Sequence, residues 1–351
     1  MRVRTVAICA SQVPFRSGGA ENLVASLHRE FKSRGFKSEI VQLPFKWYPR
    51  VQLLKTCLAW RLLDLTESDG EPIDLVVATK FPSYAVRHPS KVTWLVHQFR
   101  QVYDLYGTEW SDFGKSSEDL EYRQKIAAVD NQTLRESRQL FSIARNVSDR
   151  LQHFNGLTAE VLYHPPKLAG LYRTDVFGDY IFTVSRLDRA KRLDLLVRAM
   201  REVRSNARLV IAGMGPEQQQ LESLISQAGL DDRVALLGFV SDEELVDLYA
   251  KCCAVAYVPF DEDYGYVTLE AFASGKPVIT ANDSGGVLEF VEDGVTGFVS
   301  SATPESIAIQ IDNVWLNRGR AADMGRNGQE RIRDITWDRV IDRLVHGLDQ
   351  S

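Results

Sequence analysis

Short apolar runs alternate with amphipathic stretches along the whole chain. RVRTVAIC predicts a first strand; from Ala20 onward Leu23, Leu27 and Phe31 recur every four residues before Gly35, the pattern of an amphipathic helix with a glycine stop. SEIVQL, IDLVVAT and KVTWLVH are compact β-branched runs that suit buried parallel strands. A charged, helix-prone stretch from Lys115 to Ser137 precedes the strand QLFSIA, and AEVLY closes this half at His164-Pro165-Pro166. The following segment, KLAGLYRTDVFGDY, has no period, and the prolines oppose a helix running into it. Beyond it YIFTVS, ARLVIAG, VALLG and CAVAYVP alternate with helical runs of about 10 to 15 residues, which predicts a second doubly wound parallel sheet. The tail from Pro304 predicts two or three amphipathic helices ending in WDRVIDRLVHGL. The expected fold class is therefore α/β, with a Rossmann-like domain over 1–168, a second over 169–334, and a C-terminal helix over 335–351 that packs back on the first domain. Open parallel sheets bind ligands at the carboxyl ends of their strands, so functional residues are expected just after strands, in a cleft where the two sets of ends face each other.

Length supports this division, since 351 residues exceed twice a typical domain of roughly 150. With 44% hydrophobic and 25% charged residues, the composition argues against disorder, fibre or a disulfide scaffold. Cys9, Cys57, Cys252 and Cys253 show no CxxC spacing and no nearby histidine, so reduced thiols are expected and a metal site is not. No apolar run approaches the roughly 18 residues of a membrane-spanning helix. The opening MRVRTVAICA is too short in its apolar part, and lacks the cleavage site, for a signal peptide. A cytoplasmic protein is the expectation.

Charge changes the picture at one end. The net charge is −5, yet residues 1–61 hold eleven Lys/Arg against three acids, +8, leaving −13 on the rest. That front end faces something anionic or faces solvent. Within it VQLLKTCLAWRLLDL, from Val51 to Leu65, sets Leu54, Leu58, Trp60 and Leu62 among Lys55 and Arg61. The stretch suits a helix lying on an anionic bilayer, at the inner face of the membrane, and equally suits packing in a core.

Candidate chemistry follows the strands. Ser17-Gly18-Gly19-Ala20-Glu21 opens a helix after the first strand, where glycines let backbone N–H groups approach a phosphate. The spacing is not GxGxxG, which disfavours a nicotinamide or flavin cofactor. After the first strand of the second half, Arg186 and Lys191 supply cations that suit a diphosphate, with Asp188 between them. Further on, Glu262 and Glu270 flank a glycine-containing turn that begins a helix, and carboxylates readily accept from sugar or ribose hydroxyls.

These residues resemble the signature of glycosyltransferase family 4, retaining enzymes of the GT-B architecture, in the E-x7-E block. Glu262, Gly265, Leu269, Glu270, Ala271, Ala273, Gly275, Pro277, Val278 and Ile279 match it, whereas Asp263, Tyr264 and Phe272 depart from it. Ser185-Arg186-Leu187 with Lys191 resembles the family's diphosphate grip, with Ser185 in place of Gly and Arg192 where a Gly often follows. Gly213-Met214-Gly215-Pro216 and Leu237-Gly238-Phe239-Val240 resemble its two base-flanking loops. Gly18-Gly19 resembles its phosphate loop, and His97 ends a strand where the family places a histidine beside the donor sugar.

The resemblance implies a hexosyl transfer from a UDP- or GDP-linked sugar to the hydroxyl of a glycan or lipid-linked saccharide, with retention and without metal or cofactor. Glu270 would bind ribose, Arg186 and Lys191 the diphosphate, Glu262 the sugar hydroxyls, and His97 the charge developing on the ring. Gly19 and the backbone of Tyr264, Gly265, Tyr266 and Val267 would donate to phosphates. The competing readings are a GT-B-like sugar-nucleotide epimerase, a phosphorylase, for which no pyridoxal lysine is identifiable, and a nonenzymatic nucleotide-binding protein. Nucleic acid is disfavoured, because the overall charge is negative and a diphosphate accounts for the cationic loops.

Overall fold

The short apolar runs resolve into two six-stranded, wholly parallel sheets in a computed structural model that describes residues 3–16 and 18–346. The described residues divide into two compact units. One runs up to Lys167 and takes in the chain from Thr336; the other is Leu168–Ile335.

The first unit runs β1 (Thr5–Gln12), α1 (Gly19–Ser33), β2 (Lys37–Pro44), α2 (Val51–Leu62), a small antiparallel hairpin of β3 (Glu67–Ser68) and β4 (Glu71–Pro72), β5 (Leu75–Ala78), β6 (Lys91–Leu95), α3 (Ser117–Arg135), β7 (Gln139–Ser142), α4 (Arg145–Asn155) and β8 (Glu160–Val161). Its sheet order is β2-β1-β5-β6-β7-β8, so the order reverses between β1 and β5. The second unit runs β9 (Tyr180–Val184), α5 (Leu193–Glu202), β10 (Arg208–Ala212), α6 (Gln218–Gln227), β11 (Val234–Gly238), α7 (Asp242–Lys251), β12 (Ala254–Ala256), α8 (Tyr266–Ala273), β13 (Val278–Ala281), β14 (Gly297–Ser300), α9 (Pro304–Leu316) and α10 (Arg318–Ile332). Its order, β11-β10-β9-β12-β13-β14, reverses between β9 and β12. Ligands of such sheets lie beyond the strand ends at the reversal. The last helix, α11 (Trp337–His346), joins the first unit: Arg34 donates to Asp338 at 2.5 Å, Arg343 to Glu160 at 2.5 Å, and Trp337 stacks on His164. The remainder of the C-terminal segment expected over 335–351, residues 347–351, lies outside the described residues, as does Ser17.

Local chemistry sets the element ends. Ser241 accepts from the Glu244 N–H at 3.2 Å while Glu244 accepts from the Ser241 N–H at 2.7 Å, a reciprocal cap that starts α7 directly after Val240. Helix α9 starts on Thr303 with Pro304 in its first turn. Helix α4 escaped the sequence reading because its buried face carries only Val147 and Leu151 as apolar residues, beside buried Arg150 and Asn155. Helix α2 settles the two readings of its stretch unevenly. Trp60 lies in the core with Leu53 and Cys57, and Arg61 pairs with Glu136, so neither can meet a bilayer; Leu58 and Leu62 stay 57% and 75% exposed. All four cysteines are free and buried.

The charged stretch read as helix α3 also feeds the core. Asp130 is fully buried and accepts from the Tyr84 hydroxyl at 2.8 Å and the Tyr103 hydroxyl at 2.6 Å. Burial pushes its carboxyl up to about 7, against the lowering effect of both phenols. An aspartate in the unfolded chain titrates at ~3.9, so between about pH 4 and pH 7 the folded state keeps a proton that the unfolded chain has lost. Stability due to this group is full below that window and falls as pH rises through it. The advantage of wild type over Asp130→Asn in melting temperature should therefore be larger at pH 5 than at pH 8; equal differences at both would contradict the buried, protonated carboxyl.

Candidate functional site

In the second unit, the strands at the order reversal, β9 and β12, end in the two loops that sequence reasoning singled out. The chain leaves β9 through Ser185, Arg186, Leu187 and Asp188 into a 3-10 turn over Arg189–Lys191. The loop after β10 lies directly against it. A Cβ on Gly213, at φ +123°, would come within 1.9 Å of the Ser185 carbonyl oxygen, and one on Gly215 within 2.2 Å of the Leu187 carbonyl oxygen. These glycines are thus required by close backbone approach. The Leu187 N–H donates to the Met214 carbonyl at 3.0 Å, and the Gly213 N–H to the Gly238 carbonyl at 2.7 Å, which ties the end of β11 to the same set. Arg186 projects from this surface 51% exposed, with the Asp188 carboxylate 4.0 Å from its Nε.

Arg192 explains a departure from the family pattern. Its backbone sits in the left-handed region at φ +50°, a conformation glycine adopts without strain. Its guanidinium grips both oxygens of Asp283, at 2.7 and 2.6 Å, and the Val258 and Pro259 carbonyls at 2.8 Å each. It therefore pins the loop after β9 to the loops after β12 and β13, and its charge is satisfied by the protein.

The second loop carries the paired glutamates. Beyond β12, the Phe260 N–H donates to the Ala190 carbonyl at 2.8 Å, and the Asp261 N–H to the Asp283 carbonyl at 2.9 Å. Glu262 forms an isolated parallel bridge with Gly285. Cβ atoms on Gly285 and Gly286 would lie 2.6 Å from the Glu262 carbonyl oxygen and 2.4 Å from that of Asp263, so only glycines let the loop after β13 back the glutamate. The Glu262 Oε2 accepts from the Lys191 ammonium and, at 2.8 Å, from the Tyr257 hydroxyl. Gly265, at φ +83°, caps the short helix α8, whose first-turn residues Tyr266 and Val267 lie at the terminus where helical N–H groups have no intrahelical acceptor. Glu270, one turn on, accepts from the Tyr249 hydroxyl at 2.6 Å. Burial, and then the charge of the adjacent glutamates, holds the Tyr249 and Tyr257 phenols well above their ordinary range, so both remain donors.

Lys191 and Glu262 are thus in direct contact. Arg186, Gly213, Gly265, Tyr266, Val267 and Glu270 occupy strand ends or the helix start of the same unit, with Tyr264 buried just before the cap and Val240 half-buried after β11. Among the described residues no group of three or more His, Cys, Asp or Glu is gathered as metal ligands would be, Asp261-Glu262-Asp263 included. Sequence reasoning missed Tyr249 and Tyr257. Tyr257 carried a usable signal, its place at the end of an apolar strand; Tyr249 looks like any core residue of an amphipathic helix.

In the first unit, Gly18 precedes α1 in extended backbone, φ −160°, which any residue adopts, and Gly19 is the first residue of the helix. Glu21 in the first turn pairs at 2.5 Å with Lys80, which follows β5, the strand beside β1 at the order reversal. His97 follows β6; its Nδ1 lies 2.8 Å from the Gln98 carbonyl, and its own carbonyl accepts from the Phe81 N–H at 3.3 Å. Gln98 is buried and donates to Asn155 at 2.5 Å.

Residues 177–331 match the family model described as glycosyl transferases group 1. An uncharacterized glycosyltransferase of Methanocaldococcus jannaschii is 35% identical over 170 residues, 47% of this chain and 43% of that protein. A GDP-mannose-dependent alpha-(1-6)-phosphatidylinositol monomannoside mannosyltransferase of Mycobacterium tuberculosis is 34% identical over 180 residues, 48% of this chain and 46% of that protein. The chain therefore spans less than half the length of these curated relatives. The Anabaena protein HepE, solved in complex with UDP and glucose, superposes with a TM-score of 0.73 at 18% identity, covering 99% of this chain and all of that one. At that identity the likeness carries the fold, the GT-B architecture of two Rossmann-like domains.

Proposed function

We propose, from the premise that the second unit of this chain is a glycosyl transferases group 1 domain, that the protein transfers a hexosyl group from a nucleoside diphosphate sugar to an acceptor hydroxyl with retention of configuration. The observation that carries this reading is the convergence of Lys191 and Glu262 from the two strands at the order reversal, with Glu270 one turn into the short helix α8 that follows. UDP- and GDP-linked hexoses are the donor classes to consider, since HepE holds UDP and the mycobacterial relative is named for GDP-mannose. The acceptor class is a glycan or a lipid-linked saccharide, and the mycobacterial relative is named for a lipid-borne mannoside.

The departing diphosphate gains charge as the glycosidic bond breaks, so Arg186 and Lys191 bind the transition state more strongly than the substrate. Backbone N–H groups at the start of α8, from Tyr264 to Val267, and of Gly19 add donors to phosphates. Glu270 takes the ribose hydroxyls and Glu262 those of the hexose; His97 is assigned by the family resemblance to support the positive charge on the ring. The acceptor enters on the face of the leaving diphosphate, whose oxygen takes its proton. Glu262 is a poor candidate for a covalent nucleophile, because an ammonium and a phenol already stabilise its Oε2 as the anion. With Arg186 and Lys191 meeting the diphosphate charge, a divalent metal is redundant.

A panel of UDP- and GDP-hexoses, followed by nucleoside diphosphate release in excess EDTA, tests this reading. Turnover with one donor, giving a product of unchanged anomeric configuration by NMR, is expected. No turnover with any donor, an inverted anomer, or activity that EDTA abolishes and manganese restores would contradict it.

Contact with an anionic membrane is a separate proposal, supported by the exposed Leu58 and Leu62 of α2 beside exposed Lys55. Much of the +8 front end is already paired within the protein, with Lys37 held by Glu71, Arg50 by Asp119 and Arg61 by Glu136. The protein should sediment with anionic vesicles at low salt, and Leu58→Glu with Leu62→Glu should abolish this. Failure of wild type to sediment would remove the membrane contact and leave the transfer reaction standing. Among the described residues no helix is long and apolar enough to cross a membrane.

A further inference from the structure

Both signature glutamates are held on one carboxylate oxygen by a buried tyrosine from a different element. Tyr249, in the last turns of α7, donates to Glu270 Oε2 at 2.6 Å; Tyr257, just past β12, donates to Glu262 Oε2 at 2.8 Å. We infer that Tyr249 and Tyr257 are positioning residues with separate tasks, Tyr249 aiming Glu270 at the nucleoside and Tyr257 aiming Glu262 at the transferred sugar. The inference rests on the roles proposed above for the two glutamates.

The phenols are themselves aimed by packing. The Tyr249 ring meets the Phe182 ring edge-on at 5.0 Å and the Tyr172 ring edge-on at 5.9 Å, so its hydroxyl has one direction available. Tyr257 is fixed through its backbone, its N–H donating to the Ile279 carbonyl at 2.8 Å and its carbonyl accepting from Thr280 Oγ1 at 2.7 Å. A glutamate has three rotatable side-chain bonds, and a carboxylate left to sample them must be ordered each time a ligand binds. A rigid phenol bonded to one oxygen removes that ordering from the binding or reaction step, and a charge-assisted bond of this kind is stronger than one between neutral groups. Because burial keeps both phenols protonated, they never compete with the ligand as anions.

The two tasks separate kinetically. In the full-length protein, Tyr249→Phe should weaken binding of UDP or GDP, whichever wild type takes, and raise donor KM, each by about tenfold, with kcat within about twofold. Tyr257→Phe should lower kcat by about tenfold and leave nucleoside diphosphate binding within about twofold. A purely structural role would move both parameters together in both variants, and that result would overturn the inference. So would two variants indistinguishable from a wild type that binds nucleotide. A wild type that binds neither UDP nor GDP would instead overturn the functional reading, and this inference with it. Should Tyr249→Phe lower the melting temperature, the same substitution in a Glu270→Gln background decides: if the tyrosine acts through Glu270, it costs less than about twofold further in binding there, and a full additional tenfold would refute the coupling.

Discussion

Replacing Glu262 with glutamine is expected to lower turnover by ~10²-fold or more while nucleoside diphosphate binding stays within a few-fold. The carboxylate accepts on Oε2 from Lys191 and from Tyr257, both donors. Glutamine loses the charge and keeps one acceptor oxygen: with that oxygen toward Lys191 and Tyr257 the sugar meets an amide N–H2, and with the amide flipped an ammonium meets another donor. The hexose would lose a fixed acceptor where the ring changes shape, whereas the ribose contact assigned to Glu270 would be untouched. Steady-state kinetics with the cognate donor, alongside nucleotide titration, check this. A Glu262→Gln enzyme with wild-type kcat, or a glycosyl adduct trapped on Glu262 of the wild type, would be incompatible with a positioning carboxylate.

Lys191→Met should be more damaging, lowering kcat/KM by ~10³-fold and weakening nucleoside diphosphate binding as well. Methionine keeps most of the stem's volume and removes the charge, so the loss reports the charge and not the packing. Two functions disappear together: the cation that meets the developing diphosphate charge, and the partner that leaves Glu262 charged and oriented. Removing one member of a partly buried ion pair leaves the other uncompensated, which adds to the cost. Selective loss of kcat with unchanged nucleotide affinity would show that Lys191 serves Glu262 alone and does not touch the diphosphate.

The strand ends were legible in the sequence because parallel strands buried on both faces read as continuous β-branched runs, and the residues after them carry the charges and glycines. Glu262 and Glu270 were legible together because one turn and one short helix fix their spacing, independent of the rest of the fold. Arg192 looked like a departure from a glycine position; its left-handed backbone and its grip on Asp283 show how an arginine fills that position and gains an anchor. Tyr249 was illegible, since it meets Glu270 across 21 positions of sequence and nothing local marks it. Lys80 and Glu21 pair across 59 positions only because β1 and β5 are neighbours in the sheet. Helix α2 shows the limit of composition: Leu58, Trp60, Arg61 and Leu62 lie within five positions of sequence, yet two go to the protein interior and its ion pairs and two to the surface, a division that only tertiary packing makes.

In the function proposed above, the loops after β9 and β12 of the second unit hold a nucleoside diphosphate. Calorimetric titration of UDP and GDP into wild type and into Arg186→Ala tests it most directly. One of the two nucleotides should bind wild type at a single site and bind Arg186→Ala at least about tenfold more weakly, because a half-exposed guanidinium at that strand end is removed with little change in folding. Binding of neither nucleotide, or equal affinity in the two proteins, would contradict the account.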